Sequence, residues 1–214
     1  MNIIDSSKRD LTDLARCHRS AFPGSLSSKL GTRYCMKMLT WYIDDERGDM
    51  FHIEGNVKVI GYCGGIRHNA PGRHGSATSV TQYTFNALVF SFLMRPWLIF
   101  HPEIRNRLPF ILKNIGLKLK PTRPVKPVPA HESNPDFMPS MGLVVIGVDP
   151  EYQGKGYGSI LLMEFERRAR EKGFRRINLS VRKDNEQAIA AYLKNGWSAG
   201  SAGEEELSMF KNLE

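Results

Sequence analysis

Gly154, Gly156 and Gly158 stand at alternate positions among Gln153, Lys155, Tyr157 and Ser159. These are the residues of the chain whose types and spacing could do chemistry. Glycine lets a backbone turn sharply and lets a ligand come close to its N–H groups. The apolar run Leu143-Val144-Val145-Ile146 leads in, and Asp149-Pro150 turns the chain between. Beyond the glycines, Ile160, Leu161, Leu162, Met163 and Phe165 open an amphipathic helix running toward Gly173. The order is strand, glycine-rich turn, helix. A helix start leaves N–H groups without partners and carries partial positive charge, so this junction can hold a polyanion such as a pyrophosphate. Gln153 adds a side-chain donor and Lys155 a positive charge. The plainer alternative is a turn that only closes a strand–helix corner.

The spacing excludes two other phosphate motifs. No Gly-Lys-Ser/Thr follows, as a P-loop needs, and the third glycine of G-x-G-x-x-G is missing. The pattern Q-x-x-G-x-G is met by Gln153, Gly156 and Gly158. Downstream, Asp184-Asn185-Glu186-Gln187-Ala188 leads to Tyr192, Gly196 and Trp197. With both segments in this order, the chain resembles the GNAT acyltransferase superfamily over roughly Leu143 to Trp197. The resemblance implies an α/β GNAT-like acyl-CoA acyltransferase fold: a mixed central β-sheet flanked by helices. It also implies acetyl-CoA as acyl donor, its pyrophosphate on the N–H groups of Gln153, Gly154, Lys155, Gly156, Tyr157, Gly158 and Ser159. The strand edge Ile146-Gly147-Val148 would pair with the pantetheine arm as an added strand does. Val148 N–H would be an oxyanion donor. Asn185 matches a position that bonds the cofactor arm, and Tyr192 a position that protonates the leaving thiolate. Beside these roles, Asn185 also reads as part of a helix cap and Tyr192 as a core aromatic.

One feature of the family is missing. No carboxylate lies between Ser140 and Val148, where many relatives carry one as general base. His131, Glu132, Asp136, His68 and His18 are the remaining titratable candidates. A water relay, or an acceptor that arrives neutral, would serve as well.

The other elements must position this centre. Met1 to Ile4 form a short first strand, and Ser6 or Ser7 caps a helix whose Leu11, Leu14, Ala15, His18 and Phe22 share one face. After Phe22-Pro23-Gly24 a second helix runs from about Ser25 to Tyr42, kinked at Gly31, with Tyr34, Met38, Trp41 and Tyr42 on its apolar side. In the family these two helices border the acceptor, which brings His18, Ser25, Ser27, Ser28 and Tyr34 into reach of it. Met50–Ile53 and Val57–Ile66 make a hairpin through Glu54-Gly55-Asn56. Met141–Val148 is the central strand, Tyr157–Lys172 its helix, and Arg176–Val181 the next strand in a parallel crossover. Asp184 is placed to cap the following helix, with Gln187 completing a capping box. A hairpin of Trp197–Gly200 and Glu206–Lys211 ends the chain.

Residues 67–139 are a large insertion between the third and fourth strands of an otherwise single domain spanning 1–214. They carry ten lysines and arginines against three acids, nearly all of the net charge of +8. The stretch is apolar from Leu88 to Met94, interrupted by Arg95-Pro96, helix-like again from Pro102 to about Leu119, then stiff through Pro121, Pro124, Pro127 and Pro129. Arg95-Pro96 breaks the run a membrane-crossing helix would need. Three roles fit it: a lid packed on the sheet, a homodimer interface, or an amphipathic element resting on a membrane surface. The basic charge suits a polyanionic coenzyme, and no nucleic-acid motif accompanies it. Cys17, Cys35 and Cys63 form no C-x-x-C pair, so reduced thiols, no metal site and a cytoplasmic protein without signal peptide are expected. The function expected is acetyl transfer to the amine of a small molecule such as an amino sugar. The alternatives are a protein or peptide N-acetyltransferase, or a weakly catalytic acyl-CoA-binding or membrane-associated module.

Overall fold

The computed structural model describes residues 2–55, 58–69, 76–101, 104 and 138–214. Seven strands form one sheet: β1 (Asn2–Asp5), β2 (Gly48–Glu54), β3 (Val59–His68), β4 (Ser140–Val148), β5 (Arg176–Arg182), β6 (Ser198–Ala202) and β7 (Glu206–Asn212). Their spatial order is β1-β2-β3-β4-β5-β7-β6. Every neighbouring pair is antiparallel except β4 and β5. The helices are α1 (Leu11–Ala21), α2 (Leu26–Leu30), α3 (Thr32–Asp44), α4 (Ser76–Met94), α5 (Tyr157–Glu171) and α6 (Glu186–Lys194).

Two apolar layers sandwich the sheet. On one face Leu161, Leu162, Phe165 and Ala169 of α5 pack on Phe51, Cys63, Met141, Leu143 and Ile177. On the other, Leu14 and Ala15 of α1 and Cys35 and Leu39 of α3 pack on Met50, Tyr62 and Ile66. Each fully buried Leu or Phe contributes about 1.5–3 kcal/mol. β3 alternates between the layers, which explains its glycines. A Cβ on Gly65 would lie 2.5 Å from the Phe165 ring, so this glycine lets α5 seat closely. Glu166 of α5 is 5% exposed and is paired to Lys211 of β7, whose Nζ donates to both carboxylate oxygens at 2.9 and 2.8 Å and to the Asn195 carbonyl at 2.8 Å.

The expected elements appear with adjustments. Ser7 caps a single 3-10 turn (Lys8–Asp10) through a reciprocal box with Asp10, and α1 follows. The second helix is not kinked but broken into α2 and α3. Gly31 has φ 98° and ψ 172°, a conformation no helix contains, and a Cβ there would stand 3.0 Å from the Arg95 guanidinium. The cap of α6 is Asn185, not Asp184: Asn185 Oδ1 accepts from Ala188 N at 3.2 Å, whereas Asp184 is held by the guanidinium of Arg182 at 2.6 Å. The insertion opens with α4 and a 3-10 turn (Pro96–Phe100). Its proline-rich part, the helix-like stretch beyond Pro102 apart from Ile104, and His131, Glu132 and Asp136 lie outside the described residues. No helix among the described residues is long and apolar enough to cross a membrane.

Candidate functional site

The site begins where the sheet opens. β4 is nine residues long, yet only Met141 and Gly142 pair with β5, opposite Ile177 and Asn178. Beyond Gly142 the two parallel strands part. A bulge at Val144 accompanies the parting: Gly64 faces Val145 and Gly65 faces Leu143, leaving Val144 as the extra residue.

Ladder alternation then says which backbone groups face the gap. Asp149 N donates to Ile60 O at 2.8 Å. In an antiparallel ladder successive residues turn their polar groups to opposite sides, so Gly147 points at β3 while Ile146 and Val148 point into the gap. The Val148 carbonyl is taken by Gln153 Nε2 at 3.0 Å. Among the described residues, the N–H groups of Ile146 and Val148 and the Ile146 carbonyl remain as an open strand edge. Gly147 serves differently from its neighbours. A Cβ there would stand 2.8 Å from the Tyr62 ring and 3.0 Å from that of Phe22.

The glycine loop continues from that edge to the start of α5. Gly154 has φ 74° and Gly156 φ 86°, both in the left-handed region that favours glycine. Gly156 is the N-cap of α5 and supplies no side-chain bond. The first-turn N–H groups of Tyr157, Gly158 and Ser159 precede the first intrahelical donor, Ile160 N, which bonds Gly156 O at 3.1 Å. A Cβ on any of Gly154, Gly156 or Gly158 would meet nothing within 4 Å. The three glycines therefore line open space, and the first turn of α5 carries no acidic residue. Gln153 and Lys155 were expected to add donors to this space. Gln153 is engaged by the chain itself, and Lys155 Nζ donates to Glu151 O at 2.8 Å while keeping its positive charge, so attraction for an anion rests on the backbone amides, the helix dipole and that charge.

Two expected residues come from α6. Tyr192 packs against the α5 layer, its ring 5.7 Å from Trp197, and among the described residues its hydroxyl has no hydrogen-bond partner. Burial pushes its pKa up to about 12, so the phenol keeps its proton at neutral pH. Asn185 spends Oδ1 on the helix cap, leaving its amide N–H₂ outward. Sequence reasoning missed Asn195, whose Nδ2 donates to Ser159 Oγ at 3.1 Å and so ties the end of α6 to the glycine loop. Its pairing spans 36 residues, and only the helix-ending Asn-Gly hinted at it.

On the sheet face opposite α5, a groove of about 460 Å³ follows the parting strands. His68, Asn178, Ser180, Glu206 and Ser208 supply its polar lining. Gly142 forms its floor: a Cβ there would lie 3.1 Å from His68 Nε2 and 3.2 Å from Asn178 Oδ1. Burial, helped by the Arg47 charge, lowers the pKa of His68, which favours neutral imidazole. The other histidine proposed from sequence is deeper. His18 is 4% exposed, with Nδ1 2.5 Å from Tyr62 Oη and Nε2 2.8 Å from Ser27 Oγ. Burial lowers its pKa to about 4. Ser25 caps α2 and its hydroxyl lies 3.0 Å from that of Ser27 and 3.1 Å from that of Ser28. Tyr34 packs on Leu30 and Leu88.

The three cysteines are free and buried. Burial pushes the thiol of Cys17 up to about 12, that of Cys35 to about 11 and that of Cys63 well above its usual value. Thiolates are the nucleophilic form, and these thiols are held out of it.

Residues 133–197 match the Acetyltransferase (GNAT) family. A mycothiol acetyltransferase from Saccharomonospora viridis is 39% identical over 70 residues, which cover 31% of this chain and 23% of that protein. The chain thus matches under a quarter of that relative's length. Among solved structures, an acetyltransferase of the GNAT family from Desulfovibrio desulfuricans superimposes with TM-score 0.59 at 12% identity, covering 100% of this chain and 99% of the other. The PaiA N-acetyltransferase from Thermoplasma acidophilum, solved in complex with coenzyme A, gives TM-score 0.56 at 14% identity, with 99% of each chain covered. At such identities the likeness is one of fold, here with a helical segment, α4, between the third and fourth strands.

Proposed function

We propose, from the match of residues 133–197 to the Acetyltransferase (GNAT) family and the likeness of fold, that the chain is an acetyl-CoA-dependent N-acetyltransferase acting on the amine of a small polar molecule, of the amino-sugar kind. The observation that carries this is the continuity of the site. An unpaired strand edge at Ile146 and Val148 leads into open, acid-free amides at the start of α5. The edge suits the amides of a pantetheine arm and the helix start suits a pyrophosphate.

The bound thioester supplies an activated acetyl carbonyl. Val148 N–H, aimed into the gap, donates to the carbonyl oxygen as it gains charge. The free hydroxyl of Tyr192 carries the proton that the departing sulfur needs. On the far side of the gap, the polar groove is sized for a small acceptor. His68 Nε2 stands over Gly142, six residues and about 20 Å along β4 from Val148, so the attacking amine arrives neutral or passes its proton to water. Transfer is direct from thioester to amine, and the buried thiols take no part in it.

Calorimetric titration with acetyl-CoA, followed by thiol release across amines, amino sugars and peptides, tests the reading. Binding with release for an amino sugar or similar amine is expected. Release with peptides alone would move the acceptor to proteins, and absence of binding would refute the site.

A further inference from the structure

The outward face of α4 and the 3-10 turn after it is apolar. Leu93 is 75% exposed, Trp97 63% and Phe100 80%, and Val89, Phe90 and Met94 are exposed with them. The inward face of α4 is buried at Thr84, Leu88 and Ser91, and Leu88 and Leu98 pack on Leu30 of α2. The element is therefore anchored to the fold and still presents a stripe with helical spacing, carrying three aromatic rings. Scattered exposed apolar residues are ordinary, whereas a continuous stripe marks a contact surface.

The rim of this stripe is cationic. The Arg33 guanidinium lies 4.7 Å over the Phe90 ring, and Lys37 Nζ 3.9 Å over that of Tyr83. Arg33, Lys37, Thr32, Asn86 and Phe90 line a groove of about 760 Å³ between α3 and α4. Arg95 closes the helix end, bonding Leu30 O at 3.0 Å. Residues 55–102 contain no aspartate or glutamate. Asp44, at the far end of α3, is already held by Lys8 at 2.8 Å and by the Tyr83 hydroxyl at 2.8 Å. An apolar stripe edged by Trp and Phe, with a basic rim, has the chemistry of an interfacial element on an anionic bilayer. A second copy fits less well, since a two-fold contact brings the same basic patch to both sides and the described rim offers no free carboxylate to balance it.

We propose that this face docks on an anionic lipid surface, Leu93, Trp97 and Phe100 entering the headgroup boundary while Arg33 and Lys37 engage lipid phosphates. The helix lies on the bilayer and does not cross it. The proposal does not depend on the acetyl-transfer reading.

The test is flotation of the full chain with phosphatidylcholine vesicles, with and without roughly 30% phosphatidylglycerol, a content that gives a negative surface potential. Binding only to the anionic vesicles, weakened by salt, is expected. Trp97→Ser with Phe100→Ser should release the protein. Arg33→Gln with Lys37→Gln should weaken binding about thirtyfold, at the usual contribution of a surface cation. Unfolding midpoints without vesicles check that the variants fold. Should the aromatic variant fail to fold, the cation variant and the salt dependence carry the decision. No flotation at low salt, equal binding to neutral vesicles, or indifference to both variants would overturn the proposal. So would self-association in light scattering that Trp97→Ser abolishes, which would seat a second copy there.

Discussion

Gly158→Ala separates a ligand site from a mere turn. Gly158 lies in the first turn of α5, has no positive φ, and a Cβ there meets nothing within 4 Å. In the free protein the substitution only restricts the unfolded chain, so it should stabilise by about 0.4–1 kcal/mol. For a protein of this size that raises the Tm by roughly 1–4 °C. Binding should change in the opposite direction. The added methyl stands beside the amides that would meet a phosphate, and losing one charge-assisted hydrogen bond costs about 1.5–3 kcal/mol. Affinity for acetyl-CoA should fall by at least about tenfold. Gly156→Ala is the companion variant. Its Cβ also meets open space, but φ is 86°, so it should lose about 1–2 kcal/mol of stability from strain alone. Calorimetry and ligand-free thermal melts read both quantities. A Gly158→Ala protein that melts higher and binds as the parent does would refute the phosphate reading and leave the glycines a purely conformational task. One that melts lower would refute the claim that the space is open.

Further outcomes follow from other parts of the site. Tyr192→Phe should lower kcat by about 10²–10⁴ with little effect on acetyl-CoA affinity; unchanged turnover would return the ring to packing alone. His18 is held at about pKa 4 against its usual 6.5, so the unfolded chain binds the extra proton between these values. Stability should therefore fall as pH drops from 6.5 to 4, by roughly 3 kcal/mol, and urea midpoints of His18→Gln should lose that part of the slope. Lys211→Met leaves the buried Glu166 carboxylate with only Arg170, 4.0 Å away, to face it and should cost about 3 kcal/mol, read from denaturant midpoints. With all three thiols buried and their pKa values raised, the native protein should resist iodoacetamide at mildly alkaline pH, and mass spectrometry would show any adduct.

What could be read ahead of the structure was what is local. The run from Leu143 to Ser159 spells strand, turn and helix in consecutive residues, and the left-handed turns at Gly154 and Gly156 are ones few other residues adopt. The hairpins and α1 were legible for the same reason. Relations across the chain were not. Whether β4 stays paired to β5 depends on residues 36 apart in the chain, Met141 with Ile177 and Gly142 with Asn178, and only these pair. The groove takes its lining from four strands. Asp184 and Asn185 are equally good caps by residue type, and the choice fell to Asn185 because Arg182 captures the aspartate. At Gly31 the sequence marks a weak helical position, but not that its φ is 98° nor that Arg95, from the insertion, donates to the Leu30 carbonyl beside it.

The extra residue at Val144 acts as a phase shifter. Met141 and Leu143 face α5 before it, and Ile146 and Val148 face α5 after it, so odd positions give way to even ones along one strand. Deleting Val144 would keep the composition of β4 almost intact while reversing one half of it. If the first half held its place, Val148 and Ile146 would be driven toward Phe22 and Tyr62, and Gly147 would offer α5 no side chain at all. Strand β4 therefore tolerates exchange of apolar residues far better than any change in its length, and its length is what keeps the donor edge and the floor of the groove on their own sides of the sheet.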